Sequence, residues 1–289
     1  MKRILSLVVC VLLAGAGFAA DNLTCIPLGT DLIFSVNVQQ IVHSPLFERI
    51  KEKKLDAQAE ARLRVLQNLT GIDPLQDIQR ATLFGTPGDD SSMMLRLQGR
   101  FDPAKLTSLV EAAPQYACHE VAGHKLHEWY DEREKRMKYG TFLSDGSILV
   151  GNRADRLDAA LRAAASGQGM QNGALPAGRE QAAAWALVMR PDAGRLGNKT
   201  LSAQQLAGVL KLSPTDVAAR LVLSTDTAEA AHKWLELVRG GLALLQLQNE
   251  HPVVAAIAAR ASVAPGPGQS VDLNVTATHD QFLQLVRRR

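Results

Sequence analysis

Asp31-Leu32-Ile33-Phe34-Ser35-Val36-Asn37-Val38, followed by Ser44-Pro45-Leu46-Phe47-Glu48-Arg49-Ile50, reads as a strand that runs into a helix. The first eight residues are rich in aromatic and β-branched side chains, which suit a pleated, half-buried surface. Ser44 then offers a side-chain oxygen for an N-cap, and Pro45 brings a φ already suited to the first helical position. An amphipathic run carries on through Phe47, Ile50, Leu55, Leu63 and Leu66 and stops at Gly71.

The same unit recurs along the chain. Met93 to Leu97 is a strand, and Asp102-Pro103 opens a helix through Leu106, Leu109 and Val110 that Pro114 ends. Ser147 to Gly151 is another, followed by Asn152 as cap, Asp155 in the first turn, and a helix through Leu157 and Leu161 to Gly167. Met170 to Gly178 has glycine, proline and no periodicity, and reads as a linker. Past it, Ala184 to Met189 is a strand, and Ser202 with Gln205 spells a capping box for a short helix through Leu206, Val209 and Leu210. Val217 to Leu223 is a strand feeding a long helix, with Asp226 and Glu229 at its start and Trp234, Leu235, Val238, Leu242 and Leu245 along one side. Val271 to Val275 is the last strand, and Thr278 with Gln281 caps a helix through Phe282, Leu285 and Val286.

Turn signals between these units give the strand direction. Pro87-Gly88-Asp89-Asp90 lies inside Ala81 to Leu97, Glu132-Arg133-Glu134 and Asp145-Gly146 inside Lys125 to Val150, and Pro265-Gly266-Pro267-Gly268 inside Val253 to Val275. Short turns make hairpins, and hairpins make antiparallel pairs. The expected fold is therefore α+β, in two similar halves, each a mostly antiparallel sheet with helices packed on one face. The halves are residues 20–169 and 182–289, joined by a linker at 170–181.

The first nineteen residues read differently. Lys2 and Arg3, an apolar run from Ile4 to Leu13 and small residues ending at Ala19-Ala20 spell a secretory signal peptide, cut after Ala19. The apolar run is too short for a bilayer, which takes roughly twenty residues, so no transmembrane segment is expected after cleavage. Loss of Lys2 and Arg3 lowers the formal charge from +3 by two to +1, which gives no basic surface for nucleic acid. Aromatic residues make up only 4% of the chain, too few for base-stacking or sugar-stacking platforms.

Cys10 leaves with the signal, so the mature chain keeps Cys25 and Cys118. In an oxidising compartment the two either form a disulfide, worth about 4 to 5 kcal/mol in the chain-entropy picture, or stay as buried thiols.

His119-Glu120-Val121-Ala122-Gly123-His124-Lys125-Leu126-His127 is the one segment where a metal comes into question. A zincin helix needs its two histidines four apart, and here the gap between His119 and His124 is five, which turns the second ring about 140° away. As a strand the segment sends His124 and His127 to opposite faces, so surface histidines are the expected reading and zinc the metal if that fails. Asp89-Asp90 and Asp131 to Glu134 are explained by turn chemistry. Nucleophile elbows, S-x-x-K, G-x-G-x-x-G and Walker loops do not occur. No catalytic residue and no cofactor is expected.

Gly71-Ile72-Asp73-Pro74 with Asp77-Ile78, Gly99-Arg100-Phe101-Asp102 leading into a helix, Ser147 to Gly151 leading into another, and Pro27 to Val38 near the mature start resemble a group of exported bacterial proteins of unknown function. The resemblance spans residues 26–165 and implies an exported α+β protein without an assigned activity. It supplies no catalytic residue. The expected function is that of an exported, non-catalytic envelope or extracellular protein, a binding or structural module for a protein or envelope component. The rival is a hydrolase or metal-dependent enzyme with a site dispersed in sequence, for which His119, His124 and Asp131 are the residues to examine.

Overall fold

The computed structural model describes residues 23–52, 57–170, 175–191, 203–248 and 250–287. The expected signal peptide lies outside them. The chain divides into two compact units, Phe47–Ala174 with the segment ending at His43 in the first, Leu175 onward with Ser44–Leu46 in the second.

In the first unit, β1 (Leu32–Asn37), β2 (Ile78–Gly85), β3 (Met94–Gly99), β4 (Ala117–Val121), β5 (His124–Asp131), β6 (Arg136–Phe142) and β7 (Ile148–Gly151) lie in the order β1-β2-β3-β7-β6-β5-β4. Every neighbouring pair is antiparallel. The helices are α1 (Val38–Val42), α2 (Pro45–Glu52), α3 (Ala57–Thr70), α4 (Pro103–Glu111) and α5 (Ala154–Ser166), with α2 and α3 occupying the span expected as one helix. Asp102 caps α4 as expected, its carboxylate accepting from Lys105 N at 3.1 Å. Asn152 does not cap α5. Arg153 holds that position, and the Asn152 side chain instead accepts from Lys138 Nζ and donates to the Asp90 carbonyl. Gly167 ends α5 at φ +65°, a left-handed conformation that glycine adopts without steric cost.

The two faces of this sheet are not polar and apolar in the usual sense. One row of directly opposed residues is Ser35, Thr82, Arg96, Leu149 and Thr141, each no more than 2% exposed. The adjacent row on the other face, Phe34, Leu83, Leu95 and Val150, is apolar and only half-buried. Polar side chains survive burial because they are bonded to one another. Ser35 and Thr82 share a 2.9 Å hydrogen bond, Arg80 donates to Ser35, and Thr141 donates to the Lys125 carbonyl at 2.8 Å. Helix α5 packs on β6 and β7 through Leu157, Ala160 and Leu161, all fully buried.

In the second unit, β8 (Ala184–Met189), β9 (Gln205–Leu212), β10 (Asp216–Ser224), β11 (Ser262–Gly266) and β12 (Ser270–Thr278) lie in the order β8-β9-β10-β12-β11, again antiparallel throughout. Its helices are α6 (Ala228–Gln246), α7 (Pro252–Ala259) and α8 (His279–Arg287). Trp234 and Leu235 of α6 pack with Val271, Leu223 and Val263.

Two sequence expectations fail here. The capping box at Ser202 and Gln205 does not start a helix: Ser202 lies outside the described residues, and Gln205 opens β9, where Leu206, Val209 and Leu210 face β8 and β10 as strand residues. The hairpin expected from Val253 shortens to β11 and β12, because Val253 to Ala259 belong to α7, which Pro252 begins. In both places a short apolar run suits helix and strand alike, and pairing with neighbours decides. Residues 171–174 lie outside the described residues, but Leu175, Pro176 and Arg179 are buried.

Candidate functional site

The histidine-rich segment is a hairpin, with Ala122 and Gly123 at positive φ in the turn between β4 and β5. It sends its three histidines to three places. His119 is exposed and lies 3.7 Å from the Glu128 carboxylate. His124 Nδ1 is 3.1 Å from the Phe142 carbonyl. His127 is buried, and its Nδ1 meets the Tyr116 hydroxyl at 3.1 Å while the two rings stack. Burial pushes the His127 imidazole below its ordinary value, so the ring is neutral near pH 7. Asp131 accepts from the backbone N–H groups of Arg133 and Glu134 and shapes the β5–β6 turn. Among the described residues no three His, Cys, Asp or Glu side chains converge as a metal would need.

Cys25 and Cys118 are unlinked. Cys25 is buried in the segment before β1, 2% exposed, and burial raises its thiol above the ordinary range. Cys118 is exposed on β4, the last strand of the sheet order, opposite His127. Of the two alternatives, the disulfide is not part of this structure, and of the two thiols only Cys25 is buried: it belongs to a packed loop and Cys118 to the sheet edge.

A small pocket of about 130 Å³ brings together residues that are far apart in sequence: Thr24, Cys25, Arg96, His124, Ser144 and Asp145. Its organising group is the Arg96 guanidinium, 1% exposed, which is ion-paired with Asp145. Arg96 Nε also donates to Ser147 Oγ at 3.1 Å, and Ser147 donates to Asp145 through its hydroxyl at 2.6 Å and its backbone N–H at 3.0 Å. Burial alone would raise the Asp145 carboxyl, but the Ser147 bonds and the Arg96 charge together hold it below the usual carboxylate range. The charge of Arg96 is therefore answered from within the chain, and the pocket has the size and polarity for water or a small polar molecule.

The sequence reading placed His124 and Cys25 but did not bring them together, and it missed Arg96, Asp145 and Ser147. Met94-Leu95-Arg96-Leu97-Gln98 alternates, and alternation alone assigns Leu95 and Leu97 to the interior. The structure buries Met94, Arg96 and Gln98 instead. Only the Asp145-Gly146-Ser147 turn, with acceptor and donor two residues apart, could have pointed to a partner for a buried arginine.

In the second unit the notable surface is on α6. Leu237, Leu244 and Leu247 are 48%, 69% and 75% exposed. Leu237, Gly240, Gly241 and Leu244 stand at helical spacing on one side, and among the described residues nothing lies within 4 Å of where a Cβ would be at either glycine. Among the described residues no helix is long and apolar enough to cross a membrane.

No protein-family model matches the sequence, and no curated protein matches it. Solved structures similar to it include two crystal forms of one protein. Crystal form III of TP0453 is 9% identical, covers 94% of this chain and 99% of that one, and superposes with a TM-score of 0.50. Crystal form IV of TP0453 is 10% identical, with 93% and 97% covered and a TM-score of 0.51. Identity this low carries the fold alone: an α+β protein with antiparallel sheet, over nearly the full length of both chains.

Proposed function

We infer that this chain is an exported, non-catalytic binding module of the envelope or extracellular space, whose partner is a protein or an envelope component. The observation that carries this reading is the solvent-facing side of α6. Two adjacent glycines inside a helix each cost roughly 0.8 to 1 kcal/mol relative to alanine. Among the described residues nothing approaches Gly240 or Gly241 closely enough to need that concession. Flanked by exposed Leu237 and Leu244, they make a shallow apolar notch suited to close approach by a partner. The half-buried apolar row Phe34, Leu83, Leu95 and Val150 offers a further contact surface in the first unit.

Strand order supports related halves at 20–169 and 182–289. In each, three antiparallel neighbours come first, β1-β2-β3 and β8-β9-β10. The chain then passes through helix and returns by a meander whose last strand pairs with the third, β7 on β3 and β12 on β10, before a closing helix, α5 or α8. The second half has one hairpin fewer. An experimental structure tests this: β8, β9, β10, β11, β12 and α8 should superpose on β1, β2, β3, β6, β7 and α5, and a failure to align them removes the duplication.

The functional reading is tested by hydrogen exchange of the full chain mixed with envelope extract of its source cells. Protection confined to residues 237–247, lost when Leu237 and Leu244 are both changed to lysine, is the expected result. Unchanged exchange there overturns it. Export is tested by N-terminal sequencing of the protein recovered from outside the cytoplasm, which should begin at Ala20 or Asp21.

A further inference from the structure

Helix α6 is symmetric about its two glycines. Leu237 stands three residues before Gly240 and Leu244 three residues after Gly241, so one midpoint serves both pairs. At about 100° per residue the four lie within about 50° of a common direction, and both leucines are exposed along it. Trp234 and Leu235 turn instead toward Val271 of the sheet, and Gln246 toward the Ala258 carbonyl of α7. A surface of this symmetry meets its own copy without rearrangement, because in a two-fold contact residue i touches j and j touches i.

Charge fixes the direction of such a pair. The first half of α6 carries Glu229, Lys233, Glu236 and Arg239, and Gly240 to Gln248 carries no charge. Within the helix Glu229 is paired with Lys233 at 2.7 Å and Glu236 with Arg239 at 3.0 Å. Run antiparallel about the glycine midpoint, two copies set Leu237 against Leu244, Gly240 against Gly241, and Lys233 against Gln248, beside the helix end whose carbonyls favour a cation. Run parallel, they set Lys233 against Lys233 and like helix ends together.

We propose that α6 is a self-association surface whose partner is a second copy of this chain, crossing antiparallel with its own Gly240 and Gly241 on this pair. The inference rests on the reading of α6 as the contact surface and names its occupant. The glycines let the two backbones approach closely, and Leu237 and Leu244 of each copy close over the crossing and leave water. One helix pair falls below the roughly 1,200 Å² of a stable interface, so the dimer is weak and forms with rising concentration.

Sedimentation equilibrium of the purified full chain, from low to high micromolar concentration, tests this. A monomer–dimer equilibrium is expected. Leu237→Lys with Leu244→Lys sets lysine against lysine in the crossing and should weaken dimerisation by about tenfold or more, with the melting temperature unchanged because both positions are exposed. Leu237→Lys with Leu244→Glu sets lysine against glutamate in the antiparallel pair only, and should dimerise at least about tenfold more tightly than the double lysine variant. A chain monomeric throughout, a double lysine variant that dimerises like the unaltered chain, or a lysine–glutamate variant no tighter than the double lysine one would overturn the proposal. A monomer still protected at residues 237–247 by envelope extract overturns the dimer alone; a monomer not so protected overturns the α6 surface with it.

Discussion

Arg96 and Asp145 form an ion pair of unequal partners: the guanidinium is 1% exposed, while the carboxylate side chain is 36% exposed and also held by Ser147. The asymmetry fixes what each substitution does. Asp145→Ala removes the carboxylate paired with a buried guanidinium and should cost about 3 kcal/mol in urea unfolding. Arg96→Met leaves a carboxylate that can turn to water and still bond Ser147, and should cost about 1 kcal/mol. Equal effects of the two changes would show that Arg96 is less buried in solution than here.

Acid should weaken the first unit in two pH windows. The buried His127 has a folded pKa below its unfolded value of about 6.5, so the folded state resists protonation. Its contribution is complete above about pH 6.5 and is lost as pH falls through the lower folded value. Asp145, also depressed, contributes fully above about pH 4 and loses that contribution as pH falls through its own folded value. Urea midpoints measured from pH 8 to 3 should fall in both windows; His127→Gln should flatten the upper one and Asp145→Asn the lower.

Glycine substitutions separate crowded positions from open ones. A Cβ at Gly99 would stand 2.0 Å from the Asp77 carbonyl oxygen, beside the β2 irregularity between Ile78 and Arg80, so Gly99→Ala should destabilise by about 1 to 3 kcal/mol. Gly240→Ala and Gly241→Ala meet nothing and should each stabilise by up to about 1 kcal/mol. Both should weaken partner binding if the α6 notch is the contact surface, a divergence of stability and binding that thermal melts and a binding titration would read together.

The capping box at α8 is reciprocal. Gln281 Oε1 accepts from Thr278 N at 2.9 Å and Thr278 Oγ1 accepts from Gln281 N at 3.2 Å. Thr278→Ala should cost about 1 kcal/mol, seen as a lower melting temperature with the sheet's β-signal in circular dichroism unchanged.

What the sequence determined by itself is what short-range chemistry controls. The strands β1, β3, β7, β8, β10 and β12, the Asp102 and Thr278 caps, the Gly167 stop and the hairpin turns all depend on a residue and its near neighbours, and all are where the sequence put them. Tertiary pairing decided the rest. Leu206, Val209 and Leu210 fit a helix as well as a strand until β8 and β10 take up their backbone groups. Arg96 could go inside, against the alternation of β3, only because Asp145 and Ser147 arrive from about fifty positions away to answer its charge. His119, His124 and His127 lie within nine positions and end at three separate places, while Tyr116 and His127, eleven positions apart, share a hydrogen bond. A strand alternates its side chains between two faces, and a hairpin joins residues by register, so proximity along the chain says little about which side chains meet.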